Sequence, residues 1–277
     1  MSKRLAYPYI GWAVLFTVLP LIMIFLFAFY NKSTGEFTLE NIERLQDPVV
    51  LKQVWNSFII ALKLSVITTV LCLLIAYPLA MILASKDYVA KGFLVTVFVL
   101  PMWMNFLVRT YALMSLLETN GLVNNFLSLF GMEKIVFLGG EGAITLGMVY
   151  NYLPFMLLPI HSVLQKIDKK YMEAAQDLGC NTWQVFRRVT FPLSLSGVIS
   201  GITMVFVPSI TTFAISEILG QSNILLIGDL INYYFVGEGN DWGLGALLSA
   251  ILMVIILLTT MVPGGGEESS EKRGVIG

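Results

Sequence analysis

Charge is scarce in this chain. Only 13% of its 277 residues are Asp, Glu, Lys or Arg, against about 25% in soluble domains. Hydrophobic residues make up 57% and the mean hydropathy is +0.79. Such a balance excludes an ordinary soluble domain. The net charge of −1 says nothing about nucleic acid, and no basic, aromatic-interleaved patch suggests a nucleic-acid binder. Histidine is scarcer still. His161 stands alone, which excludes a histidine metal cluster and an ordinary Ser-His-Asp arrangement. Near the end of an apolar run, it reads as structural. The two cysteines, Cys72 and Cys180, fall in an apolar run and a polar stretch, so they read as small fillers and not as a disulfide. No G-x-x-x-x-G-K-[ST] occurs, so no P-loop binds ATP and no cofactor or metal is expected. If the chain performs work, another chain supplies the energy.

What is present is six apolar runs, at about 5–30, 54–84, 92–117, 142–164, 193–216 and 243–262. Each can cross a hydrocarbon core of about 30 Å, for which about 20 helical residues suffice. The first follows Lys3 and Arg4, exceeds a signal-peptide core and has no small-x-small cleavage site after it, so it reads as an uncleaved span. Pro78, Pro101, Pro154, Pro159 and Pro208 are expected to break the second to fifth spans near their middles, as in helices that line a cavity. The expectation is an all-α, polytopic membrane protein with six transmembrane helices. Residues 1–53 form an N-terminal helix with an external loop, 54–262 a five-helix core, and 263–277, with Gly264-Gly265-Gly266, a flexible tail.

Six spans put both termini on one side, and the basic residues choose it. With the termini inside, the inner segments hold eleven Lys and Arg, while the outer segments hold four: Lys32, Arg44, Lys52 and Lys134. The positive-inside rule therefore predicts cytoplasmic termini. Residues 214–242 contain Glu217, Asp229, Glu238 and Asp241 and no Lys or Arg. They read either as a solvated acidic loop or as an outer vestibule that concentrates cations. Glu217 sits at the end of the fifth run, where a carboxylate is costly without water or a positive partner. Arg109, in the third run, could be that partner. It reads as a structural pair or a snorkelling end-of-span residue. Trp103 reads as an interfacial anchor or as a face for a cationic amine.

The longest polar interruption of the second half is KIDKKYMEAAQDLGCNTWQVFRRVTFP, residues 166–192, with Lys166, Lys169, Lys170, Arg187 and Arg188. Tyr171, Ala174, Ala175 and Leu178 fall at i, i+3, i+4 and i+7, one face of a helix. Gly179 stands where a left-handed residue would end it. Asn181 or Thr182 can cap a second helix in which Trp183, Phe186 and Val189 share a side, and Pro192 closes the stretch. The alanine-rich face lets another backbone approach closely. It reads as a locally amphipathic loop or as a docking helix for a soluble partner.

Glu173-Ala174-Ala175, three residues, Gly179, nine residues, then Val189-Thr190-Phe191-Pro192 resembles the EAA motif of ABC-importer permeases. The family pattern ends in Ile-x-Leu-Pro, so Val189 and Phe191 are conservative departures and every spacing is kept. Residues 8–262 resemble more particularly the B-type permeases of spermidine/putrescine importers. The stretches that carry this are Leu100-Pro101-Met102-Trp103-Met104-Asn105 through Arg109-Thr110-Tyr111, Tyr152-Leu153-Pro154-Phe155-Met156, Asn223-Ile224-Leu225-Leu226-Ile227-Gly228 and Asp241-Trp242. The resemblance implies the type I ABC-importer permease fold. It implies a second permease, a pair of ATPase subunits and an external polyamine-binding protein as partners. It implies ATPase coupling through Glu173, Ala174, Ala175, Leu178, Gly179 and Pro192. Placement and charge add Glu217, Trp103 and Asn105, with Tyr111 behind them, as residues of the substrate pathway. Gly220 is followed here by Gln221, a small departure beside Glu217. Two other readings compete: the same architecture for sulfate, ferric iron or thiamine, and a polytopic membrane enzyme such as an intramembrane protease. The latter lacks a serine partner for His161.

Overall fold

The computed structural model describes residues 7–30, 36–85, 91–237, 239 and 241–264. The Lys3–Arg4 flank, Lys32, the loop at 86–90, Glu238 and the tail beyond 264 lie outside the described residues. Regular structure among the described residues is helical, with one isolated antiparallel bridge between Tyr30 and Phe37. Four helices are long and apolar enough to cross a membrane, and up to six spans result if each of two bent pairs counts as one. The six predicted runs correspond to these.

The helices are α1 (Tyr7–Ala28), α2 (Glu40–Leu45), α3 (Pro48–Ala84), α4 (Lys91–Val99), α5 (Phe106–Leu117), α6 (Leu122–Ser128), α7 (Glu141–Lys166), α8 (Lys169–Asp177), α9 (Thr182–Leu193), α10 (Leu195–Ile210), α11 (Ala214–Gly220), α12 (Ile227–Phe235) and α13 (Trp242–Gly264). At 1.5 Å per residue the 37 residues of α3 extend about 55 Å, well beyond a ~30 Å core. Lys63 lies on this helix and donates to Glu141 Oε2 at 2.6 Å, at the first residue of α7. From Lys63 to Ala84 is about 31 Å at the same rise, about the thickness of one hydrocarbon core.

The structure corrects the proline expectation. Pro78, Pro154, Pro159 and Pro208 sit inside continuous helices. Each removes one backbone bond, and packing on neighbouring helices keeps the remainder in place. Only Pro101 stands at a break. The chain tightens there into a 3-10 turn, Leu100–Trp103, and the segments Val95–Trp103 and Phe106–Ser128 bend by 102°. The new helix starts because the Asn105 carbonyl oxygen accepts from the backbone of Leu107 (2.9 Å) and Val108 (3.2 Å). Arg109 Nη1 holds the bend by donating to the Pro101 carbonyl at 2.8 Å.

The fifth run is corrected too. Its helix, α10, stops at Ile210, and residues 214–220 form the separate α11. The Pro208 carbonyl near that stop accepts from the Tyr152 and Thr211 hydroxyls, both at 3.3 Å. Side chains thus take over where the backbone ladder ends.

The chain divides into two compact units. One comprises residues 1–58 and 227–262. Its core is Ala28, Leu244, Ala246 and Leu247, with Phe27, Ile42, Val50 and Phe235 against them. Asn41 Nδ2 donates to the Ala28 carbonyl at 2.9 Å, and Arg44 forms an ion pair with Asp241. Burial first, and then the Asp241 carboxylate, push the Tyr234 phenol above its ordinary value, with Arg44 opposing. The other unit, residues 59–226, is built around α7. Ile144, Met148, Met156, Leu157 and Ile160 of α7 are fully buried, against α10 and α11. Close approach of α10 requires Gly197: a Cβ there would lie 2.9 Å from the Pro159 carbonyl. Small residues that admit backbones to contact are the usual means of packing helices in lipid.

Candidate functional site

The polar segment 166–192 folds as its local signals direct. Asp168 caps α8 by accepting from Lys170 N at 3.1 Å. At the other end Gly179 has φ +85°, a conformation costly for other residues. Cys180 N donates to the Ala175 carbonyl (3.0 Å) and Gly179 N to the Gln176 carbonyl (2.8 Å), the paired bonds of a Schellman ending. Asn181, not Thr182, begins α9, through a reciprocal box: its side chain accepts from Gln184 N and its own N–H donates to the Gln184 side chain, both at 2.9 Å. Two helices are thereby joined by a turn that is capped on both sides.

No residue of α8 is buried. Tyr171, Ala174 and Leu178 are exposed and Ala175 is half-buried, with Leu178 87% exposed. An uncovered face of apolar and small side chains on a charged segment is the mark of a surface that another protein covers. Glu173 turns elsewhere. With Lys169, Met172 and Gln176 it lines a cleft of about 540 Å³, closed by Met81 and Ser85 at the end of α3 and Leu164 and Gln165 at the end of α7. The residues expected to couple thus divide between two faces of one helix. Pro192 lies within α9, and the chain breaks two residues later, at Ser194, with a bend of 64° into α10.

Sequence reasoning missed the residues that hold this segment. Trp183 stacks on Phe186 at 5.2 Å, and Phe186 and Phe191 both pack on Tyr77 of α3, at 5.7 and 5.9 Å. The Tyr77 hydroxyl lies 2.7 Å from Ser194 Oγ. A tyrosine beside Pro78 in an apolar run was the available signal.

The pathway candidates lie on α11 and on the bent α4–α5 pair. Every residue of Ala214–Gly220 is buried except Glu217, which is exposed. The carboxylate is in none of the three ion pairs among the described residues. The expected Arg109 partnership is therefore absent from the described contacts. Buried Arg109 bonds to the Pro101 carbonyl and lies 5.7 Å from the centre of the Tyr150 ring. Trp103 is 84% exposed and Tyr111 is exposed. Asn105 is exposed, but its carbonyl oxygen is engaged as the α5 cap, leaving its amide nitrogen for a ligand. Asn151, on α7, donates to the Gly147 carbonyl at 2.8 Å and weakly to Thr110 at 3.4 Å, so a polar seam runs between α5 and α7.

Comparisons with known proteins follow this geometry. Residues 76–262 match the family described as "Binding-protein-dependent transport system inner membrane component". The "Spermidine/putrescine transport system permease protein PotB" of Escherichia coli K12 is 36% identical over 250 residues, 88% of this chain and 89% of that protein. Its Haemophilus influenzae counterpart is 35% identical over 246 residues, 86% and 84% of the two chains. Among solved structures, a chain of a bacterial alginate ABC transporter in complex with an alginate pentasaccharide-bound periplasmic protein superposes with TM-score 0.73 at 18% identity, over 94% of this chain and 91% of that one. This likeness concerns the fold.

A multi-pass helical membrane protein, its helices unbroken at most of its prolines, is the class the structure defines. The chain belongs to the binding-protein-dependent transport system inner membrane components, the permease subunits of ABC importers.

Proposed function

We propose that this chain is a membrane-spanning permease of an ATP-driven importer of polyamines, spermidine and putrescine. The single observation that carries the cargo is 35–36% identity, over most of both chains, to permeases named for those two amines. The four acids of residues 214–242, with no Lys or Arg among them, support a polycationic cargo independently. The chain joins a second permease to enclose the pathway. An external binding protein delivers the amine. Two cytoplasmic ATPase subunits receive α8 and α9, with both termini and the docking segment on their side. Residues 54–262 act as the permease core and 1–53 as an added helix and loop.

In this reading Ala174, Ala175 and Leu178 offer the docking face and Gly179 sets the angle between α8 and α9. Glu173 holds the cleft side of the same helix, and Pro192 leads into the bend at Ser194. Glu217 meets an ammonium group, Trp103 offers a ring face to the same charge, Asn105 borders the pathway as the cap of α5, and Tyr111 stands behind. ATP binding draws the ATPases together and the segment transmits that movement.

Uptake of labelled spermidine by the reconstituted complex tests the cargo. Unlabelled putrescine is expected to compete, and sulfate, ferric iron and thiamine are not. Competition by one of the latter three, with none by putrescine, overturns the assignment.

A further inference from the structure

Between the docking segment and the membrane helices lies one small polar contact in an apolar setting. Tyr77, on α3, is 7% exposed and Ser194 is fully buried. Their oxygens are 2.7 Å apart. Ser194 Oγ also lies 3.0 Å from the Phe191 carbonyl, to which it donates. A serine hydroxyl carries one proton, so Tyr77 donates to Ser194 and Ser194 donates to Phe191. The three residues form a directed chain across the bend where α9 becomes α10.

The rings repeat the connection. Phe186 and Phe191 both pack on Tyr77. Residues five apart on an α-helix point about 140° away from each other. They converge here because Phe186–Thr190 is a π-helical turn, with Phe191 N donating to the Phe186 carbonyl. Such turns recur at functional sites and cost helix stability. This one aims two rings at one target. On the α3 side, Pro78 deprives the Leu74 carbonyl of its helix partner. Tyr77 therefore engages α3 beside its weakened turn, where the helix yields most readily to a lateral force.

Resting on the reading of the chain as a coupled permease, we propose that Tyr77 is a positioning residue that carries the movement of α8–α9 into the membrane helices, through the Tyr77–Ser194–Phe191 hydrogen-bond chain and the two phenyl rings. Side-chain packing alone would hold the segment in place. The hydrogen bond makes the two helices move together at one point, the break at Ser194.

The test uses the whole complex, with its second permease, ATPase subunits and binding protein, in proteoliposomes. Tyr77→Phe, Ser194→Ala and the double variant are compared for spermidine taken up per ATP hydrolysed and for binding-protein stimulation of hydrolysis over basal. Tyr77→Phe keeps the ring, so assembly and basal hydrolysis are expected at normal levels. Uptake per ATP and stimulation fall roughly threefold or more, the scale of one buried hydrogen bond. Ser194→Ala does the same, and the double variant is no worse than either single. Unchanged ratios, additive losses, or losses that track complex yield and thermal stability overturn the proposal. A wild-type complex that takes up no polyamine overturns the cargo reading alone, and the stimulation ratio still decides the role of Tyr77.

Discussion

Arg44 closes an ion pair with Asp241, a residue 197 positions later in the chain and in the same compact unit. The pair neutralises one of the four acids that a reading by loops leaves unopposed. Asp229 is half-buried and has an interaction of its own. Glu217 is left as the exposed acid of its helix. Asp241 also accepts from Leu244 N at 3.2 Å and so begins α13.

The two partners of that pair are therefore unequal. Arg44 is half-exposed, and such a pair contributes about 0–1 kcal/mol. Arg44→Gln is expected to shift thermal unfolding of the detergent-solubilised complex by little. Asp241→Ala loses the pair and the cap together and costs about 1–2 kcal/mol. Equal shifts for the two variants would contradict this.

Glu217→Gln is expected to preserve assembly, since the carboxylate is exposed and in no described ion pair. The apparent KM for spermidine in uptake should rise about fivefold or more, the scale of one charge-assisted bond. Uptake with unchanged KM removes Glu217 from the pathway.

Ala174→Trp places a bulky ring on the uncovered face of α8. The isolated chain should unfold at the wild-type temperature, while ATPase subunits co-purify at roughly a tenth of the normal yield or less, as for a central interface residue. Gly179→Val acts differently. It forces a branched side chain to φ +85°, costs about 1–2 kcal/mol locally, and lowers co-purification by misdirecting α9. Retained ATPase with Ala174→Trp would show that this face docks nothing.

Cysteine scanning along α3 tests whether the apolar layer begins near Lys63. In a Cys180→Ser background, a membrane-impermeant maleimide should label cysteines at positions 51 and 55 rapidly in membranes. Positions 71 and 74, which are exposed on the isolated chain but face lipid or a partner helix within the apolar layer, should stay unlabelled. Uniform labelling would place the layer elsewhere.

The legible parts of this protein are those set by neighbouring residues. Gly179 and Asn181 declare a helix end and a helix start because their hydrogen bonds span only a few residues. The six apolar runs declare crossing helices because hydrocarbon leaves the backbone no other partner. Proline was misread for the opposite reason. Whether Pro154 or Pro101 breaks a helix depends on what else can satisfy the neighbouring groups. At Pro101, Asn105 and Arg109 support a bend, whereas Pro154 lies in a helix packed tightly along its length. Glu217 was expected at the end of the fifth span with Arg109 as its candidate partner; it stands instead on the separate α11 and in no described ion pair, because the stop at Ile210 is completed by Tyr152, far away in sequence.

Composition and short-range pattern by themselves determined a membrane-crossing helical chain, its polar segment at 166–192 and the ends of that segment's helices. The tertiary structure alone decided that Arg44 silences Asp241, that Glu173 and Ala174 serve different faces, and that Tyr77 meets Ser194. The reason is physical: helix formation and capping are satisfied within a few residues, whereas charge pairing and buried side-chain bonds join positions that only the folded backbone brings within reach.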